Sequence, residues 1–168
     1  PHPLLALSCP QILGGVPAPN YEDMLPEDIA VQLELMDVRA VLAEDQEMVD
    51  KVLAIADQVP SLETVIYREP RERHGYDGSD PVVLDYEDVI ERGAAALEDE
   101  PDRVDDLVDA VEPTDLASLA PTSGTTGAPK RVKLSHANFI NLSIAFVAAD
   151  PLAEGSDYFS YLPMAWIG

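Results

Sequence analysis

Thr122-Ser123-Gly124-Thr125-Thr126-Gly127-Ala128-Pro129-Lys130 is the stretch on which the reading of this chain turns. Its run of small residues has too little side chain to build a core. It can instead form a tight loop whose backbone N–H groups are unobstructed. Gly124 and Gly127 can adopt positive φ, so that successive N–H groups converge on an anion. The hydroxyls of Ser123, Thr125 and Thr126 add donors. Pro129 stiffens the exit, and Lys130 places a compact cation at the end. Many neutral donors plus one ammonium suit a polyphosphate.

Two other readings of the loop compete. A flexible linker would also be rich in Gly and Thr. However, apolar strand-like segments flank this one (Leu116 to Ala120, and Val132-Lys133-Leu134), and a linker needs no terminal Pro-Lys. A nucleotide-triphosphatase loop needs Gly, four residues, then Gly-Lys-Ser/Thr opening a helix. Here Lys130 is followed by Arg131, and the next residues alternate as a strand does. That class is rejected.

Working outward, helical and short apolar segments alternate along the chain. Leu4 to Leu13 is apolar and helix-like, interrupted by Pro10 and ended by Gly14-Gly15; Val16-Pro17-Ala18-Pro19 reads as extended. Pro26-Glu27-Asp28 opens a helix whose Ile29, Leu33 and Met36 form one stripe. Ala40 to Ala43 is a buried strand candidate. Asp45 caps a helix carrying Val49, Val52, Leu53 and Ala56, and Val65-Ile66-Tyr67 is the next strand. Residues 68–81 read as a polar surface loop and Tyr86 to Leu97 as a helix. Ser135 reads as an N-cap with His136 and Asn138 in the first turn. Its imidazole is assigned a local hydrogen bond fixing that turn, in preference to catalysis.

This pattern predicts an α/β fold, with a mostly parallel sheet flanked by helices. Two segments are expected: an N-terminal α/β part, residues 1–112, and a part beginning the next subdomain, residues 113–168. The acidic runs Glu98-Asp99-Glu100 and Asp105-Asp106, and the segment His74-Gly75-Tyr76-Asp77-Gly78, lack metal-ligand spacing and read as solvated. No metal site is assigned.

The residues at the centre of the chain then carry a resemblance. Thr122 to Lys130 resembles the phosphate loop of the adenylate-forming (AMP-binding) superfamily, which includes acyl-CoA synthetases, luciferases and peptide-synthetase adenylation domains. Leu134-Ser135-His136-Ala137-Asn138 and Tyr161-Leu162-Pro163-Met164-Ala165 resemble its following motifs. Upstream, residues 14–21 and 60–66 are similar more weakly. The form Tyr161-Leu162-Pro163-Met164-Ala165-Trp166 is most similar to bacterial long-chain fatty acyl-CoA synthetases.

The resemblance implies a partial adenylate-forming N-terminal domain. It implies ATP-dependent conversion of a carboxylic acid, foremost a long-chain fatty acid, to an acyl-adenylate and then to acyl-CoA. ATP, CoA and the acid are the implied small-molecule partners. Mg2+ is implied too, with its ligand residues outside this chain. Thr122, Ser123, Gly124, Thr125, Thr126, Gly127 and Lys130 are the implied phosphate-binding residues, Lys130 being the catalytic one. Ala165 and Trp166 are assigned to the substrate pocket, with Trp166 open between a pocket wall and a core residue. The chain starts at Pro1 and stops at Gly168 without the family's later motifs, so it is expected to be an N-terminal fragment, inactive alone. A non-catalytic nucleotide-binding or scaffolding relic, and a ligase for aryl or amino acids, are the alternatives.

Three departures from the family pattern stand out. Pro121 removes a backbone donor at the loop entrance. Arg131 replaces a common Gly, adding a phosphate contact or crowding the backbone. Lys133 shares a strand face with Arg131, and together they are expected to make a cationic edge that offsets repulsion of ATP.

Composition sets the boundaries. The chain has 168 residues, 46% of them hydrophobic, enough for a folded core. A net charge of −22 disfavours nucleic acid and anionic lipid surfaces. No stretch is apolar enough to span a membrane, which leaves peripheral association open. Cys9, the single cysteine, rules out an internal disulfide and is read as a buried packing residue. With no signal peptide visible, a cytoplasmic protein is expected. The acidic excess reflects either adaptation to a salt-rich cytoplasm or drift in an acidic lineage. Thermal melting against KCl concentration separates them, since a protein adapted to salt should lose stability sharply when salt is removed.

Overall fold

A computed structural model of the chain describes residues 3–21, 23–68, 75–76, 78–122, 130–150 and 155. The elements in order are α1 (Pro3–Ile12), α2 (Pro26–Leu35), β1 (Ala40–Ala43), α3 (Gln46–Leu53), a 3-10 turn (Ala56–Gln58), β2 (Thr64–Tyr67), β3 (Val82–Asp85), α4 (Tyr86–Asp99), α5 (Arg103–Asp109), β4 (Leu116–Thr122), β5 (Lys130–Ser135) and α6 (His136–Ala149). Strands β1, β2 and β3 form a parallel sheet in that order, and β4 pairs antiparallel with β5.

The core grows from the apolar stripes. Ile29, Ala30 and Leu33 of α2 and Val49 and Val52 of α3 meet Val65 and Tyr67 of β2, with Ala43, Ile55, Val59 and Leu62 closing the cluster. The helix starts follow local chemistry. Pro26 stands in the first turn of α2, followed by Glu27 and Asp28 at the positive end of the helix dipole. The Asp45 carboxylate accepts from the Met48 N–H at 3.0 Å to cap α3. Asp85 does the same for α4 through the Glu87 N–H at 2.8 Å.

Four expectations need correction. α1 runs through Pro10 to Ile12. Pro10 lies in its last turn, and its carbonyl accepts from the N–H groups of Leu13 and Gly15. Gly14 then takes a φ of 77°, which turns the chain away. Cys9 is exposed, on a helix whose described side chains are at most half-buried. Strand β3 was not anticipated: Val82-Val83-Leu84-Asp85 lies parallel beside β2 and completes the sheet. Finally, Tyr76 is part of the packing. Its hydroxyl donates to Asp50 at 2.7 Å and its ring meets Tyr67 edge-on at 6.2 Å. His74 and Asp77 of the same segment lie outside the described residues.

The acidic runs sit on the surface of α4 and α5, where Arg103 pairs with Glu100 at 2.9 Å. Helix α6 is apolar on every side, and Ile140, Leu142, Ile144, Phe146 and Val147 are all exposed. That composition is typical of a helix buried all round in a larger domain. Among the described residues, no helix is long and apolar enough to cross a membrane.

Two outcomes follow. Val65 is fully buried at the centre of the sheet, so Val65→Ala should cost about 2 kcal/mol from lost methyl transfer and an unfilled cavity. Urea unfolding should show this as a lower midpoint at unchanged slope. Tyr76 is pushed up to about 12, first by burial and then by its hydrogen bond to Asp50. A folded-state value above the unfolded one near 10 means the folded chain holds the proton longer. This stabilisation is complete below pH 10 and disappears as pH rises toward 12. Wild type should therefore lose stability across pH 10–12 more steeply than Tyr76→Phe, measured by chemical unfolding at each pH.

Candidate functional site

Residues 123–129 connect β4 to β5. Of the proposed phosphate-binding residues, Ser123, Gly124, Thr125, Thr126 and Gly127 therefore lie outside the described residues, as do Ala165 and Trp166. What the structure places is the stem. Thr122 and Lys130 are register partners at its mouth, followed inward by Pro121 with Arg131, Ala120 with Val132, and Leu119 with Lys133. Strand alternation sends Lys130 and Val132 to one face and Arg131 and Lys133 to the other.

The Thr122 hydroxyl donates to the Lys130 carbonyl at 3.3 Å, adding a side-chain tie across the mouth of the stem. A phosphate contact from Thr122 would have to exchange that long bond. Lys130 is exposed at the last paired position. Pro121 is accommodated within β4, opposite Arg131.

The stem is fixed to the rest of the chain by hydrogen bonds rather than by apolar contact alone. Ser118 is buried, and its hydroxyl donates to the Pro17 carbonyl at 2.9 Å. The same carbonyl accepts from the Leu119 N–H at 3.1 Å. Pro17 cannot donate, yet its extended segment supplies an acceptor to the outer edge of β4. The Gln11 side-chain amide of α1 donates to the Ala117 carbonyl at 2.9 Å. On the other strand, an Arg131 guanidinium nitrogen donates to the Leu35 carbonyl at the end of α2. The guanidinium thus meets a backbone carbonyl rather than the expected phosphate or a crowded loop backbone, and no local pattern points from residue 131 to residue 35.

At the far end of β5 the chain turns directly into α6 through a capping box. The Asn138 N–H donates to the Ser135 hydroxyl oxygen at 3.3 Å, and the Asn138 side-chain oxygen accepts from the Ser135 N–H at 2.9 Å. The N-cap reading of Ser135 is correct. The reading of His136 is not. Ser135 and Asn138 already satisfy the turn, and His136 Nε2 is enclosed without a hydrogen-bond partner. The His136 backbone N–H donates to the Asp115 carbonyl at 3.1 Å, which closes the base of the stem. Among the described residues, no three His, Cys, Asp or Glu side chains converge as metal ligands.

The profile of the AMP-binding enzyme family matches residues 2–168. A long-chain-fatty-acid–CoA ligase, ACSBG2 of Xenopus laevis, is 31% identical over 134 residues, covering 76% of this chain and 17% of its own length. The peroxisomal long chain acyl-CoA synthetase 7 of Arabidopsis thaliana is 26% identical, covering 90% of this chain and 21% of its own. The long-chain-fatty-acid–CoA ligase FadD15 of Mycobacterium tuberculosis is 29% identical, covering 92% and 24%. The chain thus spans between 17% and 24% of the length of these relatives.

Two solved structures share the fold. The anthranilate CoA ligase AuaEII, in complex with anthranoyl-AMP, has a TM-score of 0.55 at 18% identity, covering 82% of this chain and 23% of that one. VinN with 3-methylaspartate has a TM-score of 0.51 at 23% identity, covering 83% and 32%. A family profile spanning almost every residue, on a fold shared with these structures, establishes that the chain belongs to the AMP-binding enzyme family.

Proposed function

We propose that this chain provides the ATP-phosphate loop of an acid–thiol ligase that converts a long-chain fatty acid to its acyl-adenylate and then to acyl-CoA. The observation that carries the reading is the sequence 122–130 on a paired stem, with Lys130 exposed at its mouth. The relatives named as long-chain-fatty-acid–CoA ligases support the choice of acid. Residues 113–168 would begin a second subdomain of the same enzyme.

The chemistry proposed for these residues is leaving-group stabilisation. When a carboxylate attacks the α-phosphorus of ATP, the α–β bridging bond breaks and charge builds on pyrophosphate. Ser123, Thr125, Thr126 and the loop amides would donate to its oxygens, and the Lys130 ammonium would neutralise charge as it develops. Thr122 would join by releasing its bond to the Lys130 carbonyl. None of these groups is a nucleophile or a general base, so the chain's part is to hold and stabilise. Mg2+ would be held by residues outside this chain. Trp166 and Ala165 would line the acyl pocket.

The test uses the full-length protein containing this chain and measures pyrophosphate release with palmitate, benzoate and aspartate. Palmitate should be turned over best. Lys130→Met should lower kcat/KM for ATP on the order of 100-fold, the cost of losing one preorganised charge-stabilising donor. Undiminished activity in Lys130→Met would remove the loop's role, and preference for benzoate or aspartate would overturn the choice of acid.

A further inference from the structure

Helix α2 ends in a way that leaves the Leu35 carbonyl without a local partner. Asp37 takes a left-handed conformation, φ 54°. The Val38 N–H donates to the Leu33 carbonyl and the Asp37 N–H to the Glu34 carbonyl. These two bonds make a Schellman motif, with Asp37 in the position usually held by glycine. They satisfy Leu33 and Glu34 and leave Leu35, the last residue of the helix, to find a donor elsewhere.

The last turn of α2 contains no basic residue, and Glu34 and Asp37 bring negative charge to an end that is already negative. Arg131 supplies what is missing. Its guanidinium donates to the Leu35 carbonyl across 96 positions of sequence, bringing a cation and a donor to one point. Arg131 directly follows Lys130 on β5 and points to the opposite strand face.

We propose that Arg131 is a positioning residue: by strapping the exit of the phosphate loop to the C-terminus of α2, it sets where Lys130 stands. The stem then has two moorings. β4 is held through Pro17 and Gln11, and β5 through Leu35. Without the second, β5 keeps its ladder to β4, but its end at Lys130 can swing with the mouth of the stem. The cationic edge formed by Arg131 and Lys133 therefore divides in function, since Arg131 is committed to the protein and is not free to meet ATP. The inference rests on the proposed role of the loop for its catalytic consequence but not for the strap itself.

The experiment compares full-length wild type with Arg131→Met and Arg131→Lys; Arg131→Gln, neutral and shorter, serves as a second loss variant should Arg131→Met fold poorly. Amide hydrogen exchange is followed over residues 31–38 without nucleotide, and KM for ATP and for the fatty acid is measured. The strap predicts roughly five-fold faster exchange in Arg131→Met, the size of one charge-assisted bond at an exposed site. It also predicts a KM for ATP raised by a similar factor, an unchanged KM for the acid, and recovery of both readouts in Arg131→Lys. Unchanged exchange with a raised KM for ATP would make Arg131 a phosphate ligand and overturn the strap. Faster exchange with an unchanged KM for ATP would leave a purely structural tie and overturn the positioning role. Lys130→Met is the separate control: if it leaves KM and kcat for ATP intact, the loop reading fails, while the exchange result still judges the strap.

Discussion

A loop made of glycine and small hydroxyl residues has little side chain with which to anchor itself, so the antiparallel pairing of β4 with β5 must place it. The position of the whole candidate site follows from that pairing. Each ladder bond is worth little alone, but the register from Leu119–Lys133 to Thr122–Lys130 leaves the mouth of the stem one position to occupy. The sequence spends its specific interactions on the stem accordingly. A buried serine and a strand amide share the Pro17 carbonyl, and a glutamine reaches in from α1. A capping box turns β5 into α6 without an intervening residue. The chain between Lys130 and the first turn of α6 is thus hydrogen-bonded almost throughout.

Electrostatics sharpens the same point. The chain carries a net charge of −22, and its lysines are Lys51, Lys130 and Lys133. Lys51 is paired with Glu47 within α3. A polyphosphate approaching such a surface meets repulsion over most of it, attenuated beyond about 10 Å at 0.1 M salt. Cations count most where they are held at fixed positions, because the attraction then needs no reorganisation when charge develops. A lysine at the last paired position of a moored strand meets that requirement better than one on a free tail.

Much of this was legible in the sequence, for physical reasons. α2 and α3 announce themselves by proline, acid and aspartate starts and by stripes at helical spacing; β1 and β2 by short apolar runs; the stem by alternation on both sides of a small-residue loop. What escaped detection involves contacts between distant residues or short elements. Strand β3 is four residues long, exposes Val82, and runs straight into α4, so its apolar run looks like the approach to a helix. Cys9 is exposed because α1, though apolar in composition, is only half-covered by the rest of the chain, and composition does not say which positions face solvent. Tyr76 sits in a polar segment with loop composition, and only the folded chain brings it against Asp50 and Tyr67. The partner of Arg131 is a backbone carbonyl, which has no sequence signature. The family resemblance was readable because catalytic loops are specified by residue identity, whereas moorings are specified by geometry.

In the proposed role, residues 122–130 grip the terminal phosphates of ATP. A crystal structure of the full-length protein with α,β-methylene ATP, which cannot lose pyrophosphate, tests it most directly. The β- and γ-phosphate oxygens should then lie about 2.7–3.2 Å from Lys130 Nζ and from amides or hydroxyls of residues 123–127. Terminal phosphates beyond hydrogen-bonding reach of every residue from 122 to 130 would contradict it.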